Sequence, residues 1–240
     1  MNRYDIDYYL CNSCVFLQTE EPYWLNESYR ESINITDTGI LARNYDFARI
    51  TAVIIYFLMN KNGKFLDFAG GYGIFTRLMR DIGFDFYWSD LYSKNLVARG
   101  FEYSADIGQV GLVTSFESFE HFLNPMKEIE EMLSYSRSLL FSTWLLPDPI
   151  PQPNKWWYYG LEHGQHISFY SLKTLQWISS HFNLRLYSNG NYLHLLTDRK
   201  ISPFYFRVLT RLYNKRPFYW VTKRMKSKTL QDMYHLIAKK

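Results

Sequence analysis

Hydrophobic and polar positions follow two different periods along this chain, and their alternation predicts an α/β fold. Short apolar runs with a period of two predict strands, and apolar residues that recur every three or four positions predict helices. In chain order these patterns predict a helix over 40–60, a strand over 64–68, a helix over 74–82, strands over 84–89, 101–104 and 110–115, a helix over 125–135, a strand over 138–144 and a helix from Ser171 to about His181. This alternation is typical of a doubly wound, mostly parallel sheet.

A hairpin is predicted near the end of this series. Residues 184–187 and 192–195 are strand-like and flank an Asn-Gly turn at Asn189, a strong signal for tightly connected antiparallel strands. An antiparallel pair at the end of a parallel sheet argues against a dinucleotide-binding sheet. The prediction is therefore an α/β, Rossmann-like sheet of seven strands with an antiparallel terminal hairpin.

The chain divides into three predicted parts. Residues 1–39 are aromatic and without a clear period, and we expect an irregular cap over a site. Residues 40–198 hold the predicted sheet, with a proline-rich loop or lid at 147–165. Residues 199–240 form a predicted helical extension that is basic and aromatic. The length of 240 residues suits one such domain with additions.

The turn after the first strand of the sheet carries most of the chemical information. Residues 65–73 are Phe-Leu-Asp-Phe-Ala-Gly-Gly-Tyr-Gly, so a strand ends near Asp67 and a glycine-dense turn leads into a helix. Glycines let the backbone approach a ligand closely, and the free N–H groups of a helix start attract an anionic group. This unit is typical of a nucleoside-cofactor site at the carboxyl end of a parallel strand. A dinucleotide fingerprint that starts at Gly71 would require glycine where the chain has Thr76.

The next strand ends at Asp90, roughly 20 residues after the glycines. A carboxylate suits a ribose diol at such a strand end, because it can accept two hydroxyl hydrogen bonds. The alternative is a loop acid that caps the following helix.

These motifs resemble those of class I S-adenosylmethionine-dependent methyltransferases. The sequence Asp-x-Ala-x-Gly-x-Gly at 67–73 is similar to their motif I, with alanine replacing the first glycine. Residues 111–125 resemble the turn after the fourth strand, with its Glu-x-x-Glu-His sequence, and 162–171 resemble a histidine-rich loop before a late helix. The resemblance covers about 20–198 and implies S-adenosylmethionine as cofactor. It implies cofactor contacts from Asp67, Ala69, Gly70, Gly71, Gly73, Asp90, Asp106 and Glu117, with Asp106 at the position that often meets the adenine amino group.

Three histidines are the candidate catalytic residues: His121, His163 and His166. Methyl transfer from a sulfonium mainly requires that the acceptor be positioned and its proton removed where necessary. Histidine suits such a base because its ordinary pKa lies near 6.5. Each histidine could instead be a hydrogen-bonded structural residue, and Glu120 is expected to fix its turn. The resemblance suggests a small-molecule acceptor, such as a sugar or glycan intermediate.

Two other functional classes stay open at this point. A nucleotide-dependent oxidoreductase is disfavoured by Thr76 and by the Asn-Gly hairpin. A non-catalytic scaffold with a cofactor-binding fold would tolerate Ala69 in the turn.

The charge of the chain is divided unevenly. Residues 199–240 contain twelve Lys and Arg and one acid, Asp232, whereas residues 1–198 contain fifteen Lys and Arg and twenty-two acids. Basic and aromatic residues together are typical of an anionic membrane surface, a phosphorylated substrate or nucleic acid. We weigh these against helices that simply pack their aromatics. An anionic membrane surface or lipid-linked acceptor is the preferred partner, and nucleic acid is the least favoured.

Cys11 and Cys14 form a lone Cys-x-x-Cys. A structural zinc site usually needs four ligands, so we expect a packed or vestigial pair and no metal, with shared zinc or redox chemistry as alternatives. No apolar run reaches the length that spans a bilayer, and the N-terminus has acids where a signal peptide would be apolar. A cytoplasmic protein is expected, with peripheral membrane contact through 199–240.

Overall fold

The computed structural model describes residues 4–29 and 37–239. Parts of the predicted N-terminal cap, at 1–3 and 30–36, lie outside the described residues. The strands are β1 (Tyr8–Leu10), β2 (Leu17–Thr19), β3 (Lys64–Phe68), β4 (Asp85–Ser89), β5 (Leu112–Ser115), β6 (Ser138–Ser142), β7 (Ser168–Phe169), β8 (Arg185–Ser188) and β9 (Leu193–Thr197). The helices are α1 (Leu25–Ser28), α2 (Ile40–Leu58), α3 (Ile74–Ile82), α4 (Pro125–Tyr135), α5 (Leu172–His181), α6 (Pro203–Leu212), α7 (Arg216–Arg224) and α8 (Thr229–Ala238).

The central sheet has the strand order β4-β3-β5-β6-β9-β8. Strands β4, β3, β5 and β6 are parallel, and β9 is antiparallel to both β6 and β8. The predicted Rossmann-like, mostly parallel sheet with a terminal antiparallel hairpin is confirmed. The parallel strands place their carboxyl ends along one edge, and the order in which strands are added to the sheet reverses between β3 and β5.

This sheet has six strands in the described part of the chain, not the seven that we predicted. At the expected seventh, residues 101–104, there is only an isolated parallel bridge between Trp88 and Glu102. Gly100, with φ of 88°, leads into this segment, and a 3-10 helix from Ala105 to Ile107 leads out of it. Between them only this single bridge forms, so the segment does not continue as a strand of the sheet.

Helices cover both faces of the sheet. Along β3, Phe65 faces one side and Leu66 the other, and both are fully buried. Residues of α2, α3, α6 and α7 pack on the first side, and residues of α4 and α5 on the second. The strands are apolar on both faces because neither face is exposed to water.

The N-terminal segment is not irregular as predicted. Strands β1 and β2 form an antiparallel pair, and β2 pairs with β7, so that Gln18 lies opposite Ser168. A separate cluster of aromatic and aliphatic side chains, including Tyr158 and Phe169, lies beneath this three-stranded sheet. The short strands gave no readable period, because each has only two or three residues.

The C-terminal extension is helical and packs on the domain. Phe206 on α6 and Val221 on α7 are fully buried in the core cluster that contains α2. The sole acid of the extension, Asp232 on α8, forms ion pairs with Arg77 and Arg80 on α3. None of the helices in the described ranges is long and apolar enough to cross a bilayer.

Candidate active site

The glycine turn between β3 and α3 adopts a strained, tightly wound conformation. Ala69, Gly71 and Gly73 have φ of 56°, 54° and 82°, in the left-handed region that favours glycine. A Cβ added to Gly70 would lie 2.7 Å from Oδ2 of Asp67. A Cβ added to Gly71 would meet no described heavy atom within 4 Å. The turn is therefore packed on its inner side at Gly70 and open on its outer side at Gly71.

Asp67 supports this turn from beneath. It is 2% exposed, and its carboxylate accepts hydrogen bonds from the hydroxyls of Thr76 at 2.9 Å and Thr114 at 3.2 Å. Burial raises the pKa of Asp67 to about 7. With both oxygens engaged inside the protein, Asp67 positions the turn rather than facing a ligand.

Asp90 lies beside the open side of the turn. Its Oδ2 accepts the backbone N–H of Gly71 at 2.9 Å, and its Oδ1 accepts those of Tyr92 at 2.8 Å and Ser93 at 2.7 Å. A carboxylate has about four acceptor positions, so three are occupied here. Asp90 thus has the loop-capping contacts of the alternative interpretation and also the placement next to Gly71 that a ribose-binding acid requires.

The structure does not bring Asp106 to this turn. Its side chain is exposed and bonds to the hydroxyl of its neighbour Ser104. The cations that act on its charge are Lys64, at the amino end of β3, and Lys239. The glycine turn follows the opposite end of β3, so nothing here supports an adenine contact from Asp106.

Glu117 follows β5 at the same sheet edge and is held from two sides. The hydroxyl of Ser142 accepts the N–H of Glu117 at 2.7 Å and donates to its Oε1 at 2.8 Å. Arg43 on α2 lies 3.2 Å from its Oε2 and is also paired with Asp37. The positive φ of 53° at Glu117 shows that the chain turns sharply here. Sequence reasoning missed Arg43, which lies on a helix outside every quoted motif.

The three predicted histidines form one cluster. The ring centroids of His121 and His166 are 5.0 Å apart, and those of His163 and His166 are 4.8 Å apart. Glu120, 1% exposed, lies among them, and burial raises its pKa to about 8. Burial also lowers the pKa of His121 to about 4. Burial lowers the pKa of His163 and of His166 below the ordinary 6.5 as well, so all three histidines are neutral near pH 7, where neutral imidazole can accept a proton or a metal ion.

Backbone contacts fix which nitrogen of each ring is free. Nδ1 of His166 lies 2.6 Å from the carbonyl oxygen of Tyr158, so it carries the proton and Nε2 has the lone pair. His163 has the opposite tautomer, because its Nδ1 accepts the N–H of Gln165 at 3.1 Å. Nδ1 of His121 lies 3.0 Å from the carbonyl of Gln165 and 2.8 Å from the hydroxyl of Tyr29.

Tyr29, from the N-terminal segment, belongs to this histidine cluster. Its hydroxyl contacts His121, and its pKa is raised to a value above the ordinary range by burial first, then by the charges of Glu120 and Tyr92. Tyr92 belongs to the loop that Asp90 holds. Tyr29 lay in a segment whose sequence we could describe only as aromatic, so its role could not be predicted.

A cavity of about 220 Å³ opens beside His166. It lies between the N-terminal segment and the 153–166 loop. Its lining is mostly aromatic and apolar, with few polar groups: Tyr4, Ile6, Tyr8, Thr19, Trp24, Pro153, Tyr159, Leu161, Gly164 and His166. Such a wall suits a small, partly apolar molecule whose reactive polar atom points towards the imidazole.

Cys11 and Cys14 lie in a turn between β1 and β2, and both thiols are free. The carbonyl of Cys14 accepts hydrogen bonds from the hydroxyls of Ser171 at 3.2 Å and Thr174 at 2.9 Å, at the start of α5. These contacts hold the backbone of the turn against α5 and involve neither thiol, and hydrogen bonds from Ser13 and Cys14 lower the pKa of Cys11 to about 6. The interpretation of a packed pair therefore stays a prediction.

Comparisons with known proteins agree with this geometry. A family model described as "Methyltransferase domain" matches residues 42–189, which is more than half of the chain. The chain therefore belongs to this methyltransferase family. The predicted class of enzyme, an S-adenosylmethionine-dependent methyltransferase, is confirmed by this membership. No curated protein sequence matches the chain.

Two solved structures with TM-scores of 0.50 share the fold at low sequence identity, and a third is similar at a lower TM-score. The plantazolicin methyltransferase BpumL, solved with a monoazolic desmethylPZN analog and SAH, is 12% identical, with a TM-score of 0.50 over 85% of this chain and 88% of that one. TnmH is also 12% identical, with a TM-score of 0.50 over 74% of this chain and 62% of that one. The magnesium protoporphyrin IX methyltransferase ChlM from Synechocystis PCC 6803, solved with SAH, is 11% identical, with a TM-score of 0.47 over 72% and 92%.

Proposed function

We propose that this protein transfers the methyl group of S-adenosylmethionine to a small molecule bound in the aromatic cavity beside His166. The cofactor supplies a methyl group already activated for displacement. The residues of this chain bind and orient the two reactants, exclude water and accept a proton where the acceptor carries one.

The open outer side of Gly71 carries the cofactor part of this proposal. Gly71 has a left-handed φ, and the space beside its Cα is open, because an added Cβ would meet no described atom within 4 Å. Steric crowding by neighbouring residues is therefore not the reason for a glycine at this position. A glycine that is free of steric neighbours and adjacent to a carboxylate leaves room for a ligand to approach the backbone. We assign Gly71 and Gly73 to the cofactor surface, Asp90 to the ribose and Asp67 to support of the turn. Glu117, at the end of β5, borders the same surface.

The acceptor part rests on the cavity and the histidine cluster. His166 lines the cavity with its Nδ1 bound to a carbonyl, which leaves Nε2 as a free acceptor. We assign His166 as the residue that receives the acceptor's proton, with His121 and His163 in support. The aromatic lining favours a ring-bearing acceptor with a hydroxyl. The sugar or glycan intermediate suggested by the sequence remains the narrower alternative, and its delivery on a lipid would involve 199–240.

Calorimetric titration with S-adenosylhomocysteine tests the cofactor site. We expect Gly71→Val to abolish binding, because the branched side chain fills the space of the ligand. The matched control is Gly190→Val. Gly190 also has a left-handed φ, of 90°, and open space around its Cβ, but it lies in the β8–β9 turn. Both variants should lose similar stability, of the order of 1–2 kcal/mol for the strained φ, and only the first should lose binding.

A Gly71→Val protein that folds and binds S-adenosylhomocysteine normally would remove the glycine turn from the site. The same titration with NAD addresses the oxidoreductase alternative. Binding of NAD but not of S-adenosylhomocysteine would overturn the proposed function.

A further inference from the structure

The histidine cluster contains the donor atoms that first-row transition metals prefer. One ligand atom from each of Glu120, His121 and His166 lies within 4.8 Å of the other two. Glu120 and His121 are neighbours on the 3-10 helix Phe119–His121, and His166 comes from the loop before β7. Two imidazoles and one carboxylate form a set of three protein ligands that leaves further coordination positions of a metal ion open. Many sites for zinc, iron, manganese or cobalt have such a set.

A buried carboxylate oxygen in this cluster lacks the partner that burial demands. Oε2 of Glu120 is shielded from solvent and no donor of the described residues meets hydrogen-bond geometry with it. The Tyr158 hydroxyl interacts with this carboxyl but does not satisfy that oxygen. The whole residue is 1% exposed. An unsatisfied buried polar atom costs about 1–3 kcal/mol, and more when charged. A bound cation would satisfy this oxygen.

The two imidazoles are oriented as metal ligands usually are. Nδ1 of His166 lies 2.6 Å from the carbonyl of Tyr158, and Nδ1 of His121 lies 3.0 Å from that of Gln165. Metal-binding histidines typically donate one ring N–H to a carbonyl or carboxylate, which fixes the ring and leaves the other nitrogen for the metal. Here two backbone carbonyls leave Nε2 free on both rings.

We propose that Glu120, His121 and His166 bind one divalent transition-metal cation. The nitrogen-rich set favours zinc, manganese, iron or cobalt over magnesium or calcium, which prefer oxygen ligands. With bonds of about 2.1 Å, a tetrahedral ion would hold its ligand atoms roughly 3.4 Å apart, so binding draws the three side chains slightly together. Metal binding at these residues is independent of the proposed function.

The location gives the cation a role that does rest on the proposed function. His166 also lines the aromatic cavity, so an open coordination position would face the bound acceptor. A metal there would hold the acceptor oxygen and lower its pKa, which makes it a better nucleophile at neutral pH. His166 would then act through the metal, and His163 would remain as the nearby imidazole.

Titration of the chelator-treated full chain with Co²⁺ tests the site, by visible absorption for ligand geometry and by calorimetry for affinity. We expect one Co²⁺ per chain and a higher melting temperature in its presence. Glu120→Gln and His166→Gln should each weaken binding by tenfold or more, the range seen when metal-site residues are lost. His181→Gln, at an exposed histidine, is the matched control and should bind as the parent does.

The cysteine pair needs its own control because thiolates also bind Co²⁺. Replacement of both Cys11 and Cys14 by Ser should leave the affinity unchanged. The proposal is overturned by no uptake in the parent chain, by uptake that neither Glu120→Gln nor His166→Gln changes, or by uptake lost with the cysteines. If a variant fails to fold, the Co²⁺ uptake of the parent chain still tests the proposal, because the absence of uptake there would overturn it. Binding of S-adenosylhomocysteine without Co²⁺ uptake would defeat this proposal and leave the proposed function intact.

Discussion

Ala69 is the residue at which the turn departs from the usual glycine. Its φ of 56° brings Cβ close to the neighbouring carbonyl, which costs about 1–2 kcal/mol for a residue other than glycine. The surrounding contacts hold it there, since Asp67 and Trp88 enclose the next residue of the turn. The chain therefore tolerates strain at the edge of its candidate cofactor surface.

Replacing Ala69 by glycine should relieve this strain. Glycine loses more backbone freedom on folding, by roughly 0.5–1 kcal/mol, so the net gain in the free energy of unfolding should be up to about 1.5 kcal/mol. Urea unfolding measures it. Ala52→Gly, in the interior of α2, is the opposite control and should lower stability by about 1 kcal/mol or more. Equal losses in both variants would contradict the strain at Ala69.

Two buried groups make opposite contributions to the pH dependence of stability. Burial raises the pKa of Asp67 from 3.8 to about 7, so above pH 4 the folded state holds a proton that the unfolded chain releases. Stability from Asp67 therefore falls as the pH rises from 4 towards 7. Burial lowers the pKa of His194 from 6.5 to about 4, so the unfolded chain binds the extra proton below pH 6.5. Stability from His194 therefore rises with pH across 4 to 6.5.

The two slopes, each at most about 1.4 kcal/mol per pH unit, should largely cancel in the parent chain. We expect the stability of Asp67→Asn to rise more steeply with pH than that of the parent, and that of His194→Gln to rise less steeply. Denaturant unfolding at several values between pH 4 and 6.5 measures the slopes. Parallel profiles for all three proteins would show that neither group titrates as proposed.

At the scale of elements, α8 is tied to α3 by charge rather than by apolar area. Asp232 is 3% exposed, and its carboxylate lies 2.9 Å from Nη2 of Arg77 and 2.7 Å from Nη2 of Arg80. The side chain of Arg80 is itself buried, and its Nη1 also donates to the carbonyl of Phe86. The basic extension therefore uses its single acid to dock on the domain, which supports the packing interpretation of its aromatics.

Asp232→Asn should be destabilising, because it removes one of the two carboxylates that pair with the buried guanidinium of Arg80 and leaves only Asp85, at 2.8 Å. The remaining pair should keep the loss below the full cost of an unpaired buried charge. Losing one partner of a buried ion pair costs about 3–5 kcal/mol. Thermal and denaturant unfolding measure the loss. Asp198→Asn, at an exposed acid, should change stability by no more than about 0.5 kcal/mol. Similar small effects of both substitutions would mean that α8 docks by other contacts.

Packing of the extension leaves its outer surface available. Tyr219 and Trp220 on α7 are 59% and 51% exposed, and cations lie beside them. Contact of this surface with an anionic membrane therefore stays a prediction, and sedimentation with anionic vesicles at low salt is its measurement.

At the scale of the whole molecule, the sequence predicted those helices and turns whose form depends on residues close together in the chain. Helix α3 was predicted with its observed bounds because a glycine precedes it, Gly83 ends it, and its apolar face has a helical period. The hairpin β8–β9 followed from its Asn-Gly turn. The class of enzyme followed from the resemblance of Asp67, the glycines after it and Asp90 to the motifs of a known family.

Contacts between distant segments could not be predicted in this way. Strands β1 and β2 are held by the pairing of β2 with β7, a contact between distant parts of the chain. Their own residues show no alternation of apolar and polar positions that would predict them. The histidines were predicted as candidates, but the partners that orient them are a tyrosine of the N-terminal segment and carbonyls of the loop. Asp106 matched a family position in sequence, yet the 3-10 helix around it leaves the side chain exposed.

The pairing of β2 with β7 also sets the order in which the site can be completed on a ribosome. Gln18 and Ser168, opposite each other in this sheet, are 150 residues apart in the chain. At 5–20 residues per second, the first strands emerge roughly 8–30 s before the strand that pairs with them. The aromatic wall of the cavity therefore stays unassembled while the glycine turn and the strands that support it are already made. In synthesis the glycine turn and Asp90 therefore precede the strand that closes the proposed acceptor cavity.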